Sequence, residues 1–413
     1  MGSINGFYQS LAQRVIPVLA VVLVAIAIVS PSGSQPAAAL IVLFSLPLLF
    51  MRSQPRPGVS RLWLVMLIWP ILASIPLFIA SGTGEALAGS ARYFLAAMVL
   101  LAIGALDLNP KAILRAASAG GIVAVVLNIG SLDEMRVNWG VGYLDSGYIS
   151  VLLLSLSLGQ FHADKGRVFW RVFALFGIAC LVFAAMKTGT RGAWPAMVVV
   201  FLLQFFLLDF SRKKKMLFAA AGIMTFTLSL FTIPSVNERI DLTVYEVQSY
   251  YKDGNRASSM GYRLDFWHIA LRCFSESPLW GVSYQRRSEL MQAYTKEQPV
   301  SASIGQDGRS SSHNEILNSM AKRGLLGAIA ILLLYLVPLR FFISGVTRNH
   351  SELSRTISLA GIGMVLTMIL CGITEAPLMN VRVGTTYAFL LVFLYQLLTS
   401  MGNIRIRRKT MPT

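Results

Sequence analysis

The chain has 413 residues, 55% of them hydrophobic and 13% charged. Soluble domains carry about a quarter charged residues, so the composition excludes an ordinary soluble protein. In a chain this apolar, the formal net charge of +17 reads as basic loops that orient membrane helices, not as a nucleic-acid surface.

Inside hydrocarbon a backbone must satisfy its own hydrogen bonds, which leaves helix bundles or closed barrels. Barrel strands alternate apolar and polar residues over about ten positions. Continuous apolar runs such as 15–28, 172–185 and 217–233 fit helices instead. The fold class is therefore all-α integral membrane, with about 12 transmembrane helices. In chain order the expected spans are 13–30, 36–51, 62–80, 91–106, 112–130, 147–161, 168–186, 193–209, 216–233, 320–339, 356–374 and 384–400. The first lacks a small-residue cleavage site and reads as a retained helix. An even number of spans puts both termini on one side. Arg52, Arg56, Arg61, Lys111, Arg115, Lys165, Arg167 and Arg171 fall on that side, as do the run Arg212-Lys213-Lys214-Lys215 and the tail residues Arg405, Arg407, Arg408 and Lys409. Arg340, Arg348 and Arg355 join them, and the positive-inside rule makes that face cytoplasmic.

The one large hydrophilic segment lies between the ninth and tenth spans and is thus extracytoplasmic. It divides the chain into 1–233 with spans one to nine, a loop at 234–319, and 320–413 with the last three spans and a basic tail. Stretches 262–274 and 284–294 place apolar residues at helical spacing, so the loop is expected to be partly helical. Long ordered loops are commonly functional.

Several catalytic signatures are missing: no Gly-rich Lys loop for phosphate, no His-Glu-x-x-His helix, no Asp-x-Asp pair for a metal-bound nucleotide. No cofactor or metal is assigned. Cys180, Cys273 and Cys371 are widely spaced and imply neither a disulfide framework nor a metal knuckle. Of the four histidines, His162 and His350 fall in cytoplasmic loops, His268 and His313 outside. His313 follows three serines, and Glu315 stands three residues after Ser312 in capping-box spacing. That spacing predicts His313 in the first turn of a helix at the mouth of the tenth span, where the helix dipole favours the neutral, proton-accepting ring. The competing reading is a capping or solvated histidine. His268, inside an amphipathic pattern, reads as a surface or packing residue.

Arg191 lies in Lys187-Thr188-Gly189-Thr190-Arg191-Gly192, between the seventh and eighth spans and, with Lys187, on the side that carries few positive charges. A guanidinium at a helix N-terminus makes an anion site suited to phosphate, and the alternative is snorkelling to lipid headgroups. Arg263 opens the first amphipathic stretch, either as an anion ligand or as a solvated charge paired with Asp265 or Glu276. Arg136, Arg286 and Arg287 are weaker candidates of the same kind, as are Arg92 and Arg382. Asp133, Glu134 and Asp145 read as plain loop residues, although each could serve as a base.

Thr188-Gly189-Thr190-Arg191-Gly192, Arg263 ahead of Ser277-Pro278-Leu279-Trp280-Gly281, and Ser312-His313-Asn314-Glu315-Ile316-Leu317 together resemble the O-antigen ligase and polymerase superfamily, most closely the lipopolysaccharide O-antigen ligase. The likeness covers about residues 170–380. It implies a multi-pass protein of the bacterial inner membrane whose site faces the periplasm. The partners implied are an undecaprenyl-pyrophosphate-linked glycan donor and a lipid A-core acceptor, with no nucleic acid. The implied reaction moves O-antigen from the donor onto a sugar hydroxyl of the acceptor. Arg191 and Arg263 then bind the donor pyrophosphate and His313 serves the acceptor. Two arginines can neutralise a departing pyrophosphate without a divalent ion. A single attack by the acceptor inverts the anomeric centre. The same motifs also fit an O-antigen polymerase or a protein O-oligosaccharyltransferase. A twelve-span secondary transporter is the reading from another class, although such proteins usually show repeated halves with discontinuous helices.

Overall fold

The computed structural model of the protein describes residues 2–51, 61–81, 90–134, 136–207, 213, 216, 234–297, 307–348 and 351–410. Among them the elements are helical, with no strand: α1 Gly2–Ile26, α2 Gln35–Ser45, α3 Arg61–Ser81, α4 Ala91–Ala102, α5 Pro110–Leu127, α6 Tyr143–Ala163, α7 Val168–Lys187 and α8 Ala193–Leu207. After these come α9 Pro234–Lys252, α10 Ser259–Glu276, α11 Tyr284–Glu297, α12 Glu315–Arg348, α13 Glu352–Thr374 and α14 Val381–Thr410.

Among the described residues seven helices are long and apolar enough to cross a membrane: α1, α5, α6, α7, α12, α13 and α14. Shorter apolar helices cover Gln35–Phe50, Leu64–Pro76, Ala91–Ala102 and Ala193–Leu203. The expected span at 216–233 lies outside the described residues, as do Arg52, Arg56 and most of the basic run 212–215.

Burial orders the bundle. In α6 and α14, 89% and 83% of the apolar window is inside the protein, against 28% and 39% in α1 and α7. The outer helices turn large apolar side chains outward, among them Val168, Phe169, Val172 and Phe176 of α7. Such a surface is stable against lipid tails, not water. Close approach at the centre uses small residues. A Cβ added at Gly363 of α13 would overlap the Ser155 hydroxyl of α6, and one at Gly177 of α7 would overlap Ser118 of α5.

The segment between α8 and α12 carries its own small core: Phe266, Ile269, Ala270, Cys273, Val282, Met291 and Tyr294, closed by Ala321 of α12. The two expected amphipathic stretches are α10 and α11. What docks this layer on the bundle is the turn Ser277-Pro278-Leu279-Trp280-Gly281. It sits in a break of α12, where Gly324 has φ +62. Leu325 N–H donates to Pro278 O at 2.7 Å and Val282 N–H donates to Ala321 O at 3.0 Å. Gly281 has φ +72, and a Cβ there would collide with the Lys322–Gly324 backbone, while one at Gly324 would collide with Leu279. Only glycine meets both demands at both positions.

Candidate active site

Four segments converge where this layer meets the bundle: the start of α10, the irregular run before α12, the end of α13, and the α7–α8 turn. Ser258 caps α10, its hydroxyl accepting from Gly261 N–H at 2.9 Å, so Arg263 stands in the first turns of the helix. Phe266, one turn on, sets its ring 5.5 Å from that of His313.

His313 is not in the first turn of a helix. The helix begins at Glu315, and His313 has φ 50, the left-handed region, alone among the described non-glycine residues. Such a backbone costs about 1–2 kcal/mol and persists only where surroundings impose it, commonly at functional sites. The capping box also fails. Asn314 supplies the cap, its Oδ1 accepting from Leu317 N–H at 3.0 Å. Ser312 instead accepts from Arg287, and Glu315 reaches across to accept from Leu378 N–H at 2.8 Å.

The ring of His313 is fixed by a carboxylate that sequence reading missed. Nδ1 lies 2.8 and 2.9 Å from the two oxygens of Glu375, the residue that ends α13. A carboxylate only accepts, so Nδ1 carries the proton and Nε2 is left with a lone pair. Arg263 reaches the same carboxylate at 3.7 Å. His313, Glu375 and Arg263 thus form one cluster. Its only advance signal was a lone acidic residue at the end of an apolar span.

Arg191 is exposed in the turn before α8. That turn is pressed on the end of α13: Cys371 Sγ lies 3.6 Å from Gly192 O, and a Cβ at Gly192 would overlap the hydroxyl of Thr374, the neighbour of Glu375. The structure therefore brings the Arg191 turn to the same helix end as the cluster.

The remaining sequence candidates serve other ends. Lys187 Nζ donates to Glu134 O at 2.8 Å and Arg136 Nε to Thr188 O at 2.8 Å, so both brace the α7–α8 turn. Arg286 is exposed and paired with Glu276 at 2.6 Å and Glu289 at 2.8 Å, and its hydrogen bond holds the Glu276 carboxyl below its ordinary range. Arg287 is fully buried and donates to Gly308 O, Ser310 O and Ser312 Oγ. Burial lowers its pKa from the usual guanidinium value. It staples the run that carries His313, a positioning role. Asp145 is no loop residue: it is buried in the first turn of α6 and paired with Arg382 at 3.1 Å.

A cavity of about 270 Å³ opens beside the cluster, lined by Tyr148, Arg309, Asn318, Lys322 and Glu375 among others. Lys322 is buried there, with Nζ donating to Arg309 O at 2.9 Å. Arg92, Arg287 and Arg323 are buried nearby, and Glu315 and Asp145, the latter paired with Arg382, are buried carboxylates of the same region. Arg92 donates to Asn380 O at 2.6 Å and Arg323 to Ala73 O at 2.9 Å, so carbonyls satisfy their hydrogen bonds but leave their charge. Buried charge in excess of one sign attracts a counter-charge. Among the described residues no group of three or more His, Cys, Asp or Glu is placed to hold a metal.

Comparison with known proteins gives three matches. Residues 176–332 match the family model described as O-Antigen ligase. An uncharacterized protein of Haemophilus influenzae is 31% identical over 194 residues, 46% of this chain and 48% of that protein. The O-antigen ligase of Escherichia coli is 25% identical over 249 residues, 59% of this chain and 58% of that protein. The match spans only about half the length of either relative.

Proposed function

We propose, from the premise that this chain belongs to the O-antigen ligase superfamily through residues 176–332, that it is an inverting, metal-independent glycosyltransferase. It moves O-antigen glycan from undecaprenyl pyrophosphate to a sugar hydroxyl of the lipid A core. The site faces the periplasm of a bacterial inner membrane, with both termini cytoplasmic and residues 234–319 as the periplasmic loop. The observation that carries this reading is the contact set of His313, Glu375 and Arg263 beside the Arg191 turn.

Glu375 fixes the tautomer of His313, so that Nε2 takes the proton of the acceptor hydroxyl. The hydroxyl oxygen attacks the anomeric carbon as the bond to the pyrophosphate oxygen breaks, and that oxygen leaves with the electron pair. Arg191 and Arg263 pair the developing charge, and the buried Lys322 amine lines the same cavity as Glu375. One base contributes about two to four orders of magnitude in rate. Glu375 is engaged by His313 and Arg263 and is not disposed as a glycosyl nucleophile, which favours a single displacement and inversion.

The test is transfer by purified protein in detergent with chelator present, the product's anomeric configuration being read by NMR. Inverted product in chelator is expected. Activity lost to chelator and restored by Mg²⁺ overturns metal independence, and retained configuration overturns the single displacement. A second lipid-linked repeat taken as acceptor makes the protein a polymerase, and a pilin-like protein makes it a protein glycosylating enzyme. No transfer to any acceptor, with flux in sealed vesicles, makes it a transporter.

A further inference from the structure

A cleft of about 710 Å³ lies away from the proposed reaction site. It lies between α9, α10 and α11 and is lined by Tyr250, Tyr251, His268, Arg272 and Tyr294 among others. On α10 Arg263 and Phe266 face the His313–Glu375 cluster, whereas the cleft takes His268, Leu271, Arg272 and Ser275. Arg272 is nine residues from Arg263, which at about 100° per residue is the far side of the helix. Nine residues rise about 14 Å along a helix about 10 Å wide, so the two positions are on the order of 17 Å apart.

The cleft is rigidly built. Asp265, fully buried, accepts on Oδ1 from Tyr250 OH at 2.8 Å, Tyr294 OH at 2.8 Å and Arg256 Nη1 at 2.6 Å. His268 holds its ring parallel to Tyr250, 9° between planes, with Nδ1 2.8 Å from Leu264 O. Tyr251 stands edge-on to Tyr250 at the rim and is 67% exposed. This histidine is the packing residue that its amphipathic pattern allowed. It belongs to an aromatic wall.

The charges identify the ligand class. Arg256 pairs with Asp265, Arg272 with Glu297 at 2.7 Å, and Glu276 with Arg286 at 2.6 Å. An anion entering the cleft would have to break a pair, and an apolar ligand would take water from several ion pairs and give no hydrogen bond in return. Hydroxyl groups meet neither cost, because each accepts from a guanidinium and donates to its carboxylate partner. The aromatic faces accept the apolar faces of sugar rings.

We infer that the cleft of α9, α10 and α11 binds a neutral stretch of glycan, several sugars distal to the reacting one, and so tethers long donors. The inference rests on the glycosyltransferase reading. The experiment compares donors carrying one repeat and many repeats, with Tyr251→Ala and the cleft-filling Leu271→Trp; both side chains are exposed. Lipid-free oligosaccharide released from the same many-repeat donor is tested for binding by saturation-transfer NMR.

Each variant is expected to raise KM for the many-repeat donor about tenfold or more with kcat unchanged, and to leave the one-repeat donor unaffected. The oligosaccharide is expected to bind the wild type and not Leu271→Trp. Equal effects on both donors, no effect on either, or no oligosaccharide binding overturns the inference while leaving the transferase reading intact. If the wild type transfers neither donor, the transferase reading fails, and the NMR arm still decides the cleft.

Discussion

His313 and Glu375 are 62 residues apart in sequence and meet through Nδ1 and both carboxylate oxygens, within 2.9 Å. The bond sets which ring nitrogen is basic. Glu375→Gln keeps size and shape but offers an N–H that favours the opposite tautomer, so kcat is expected to fall by about two to four orders of magnitude. His313→Ala should fall as far, with donor binding retained. Stopped-time assays with a donor-binding measurement check both, and near-normal kcat in Glu375→Gln would reduce the carboxylate to a structural partner.

The cations separate by kind. Arg191→Lys and Arg263→Lys keep the charge but would lose the two-pronged grip proposed for the phosphate oxygens, so kcat/KM should drop tenfold or more, about 1.4 kcal/mol. Lys322→Met removes a buried amine at little loss of volume. The melting temperature should hold or rise, because removing a polar amine buried beside arginines relieves desolvation, while donor KM increases. A variant less stable and equally active would show that Lys322 serves the fold alone.

Arg287→Ala strands the three acceptors that hold the run before His313. Stability should fall by about 2–4 kcal/mol. Cys273 reports the opening. Buried in the same small core, its thiol is pushed up to about 11, so at pH 7 nearly all of it stays protonated and unreactive. Release to solvent lowers that value, so maleimide labelling at pH 7 should be slow in the parent and faster in Arg287→Ala.

Sidedness follows from the basic loops. Cysteines placed at Lys252 and Glu289 should label from the periplasm, and ones at Lys213 and Lys165 only after the inner membrane is breached. A cytoplasmic signal from Lys252 would remove the site from the face where its substrates are proposed to lie.

The helices were legible because lipid demands long apolar runs, a constraint written into contiguous residues. Arg263 and His313 were legible through short motifs. Glu375 and Lys322 were not, since their roles arise only when α13 and α12 come together with the α10 layer. Arg286 and Arg287 show the limit of reading charge by type. Adjacent in sequence, they are about 100° apart on α11, one in solvent and one in the core. His313 was placed in a helix by a serine and glutamate spacing whose two members are spent elsewhere, on Arg287 and Leu378.

The keyed fit of the Gly281 turn into the break at Gly324 makes the outer layer and the helix beneath it a single heritable unit. A graft that exchanges residues 234–319 between relatives moves one half of the key without the other, and a side chain at either position stops the halves from closing. The family match at 176–332 contains both glycines. Chimeras that change acceptor or glycan preference should therefore place their junction beyond Gly324, in the lipid-facing part of α12.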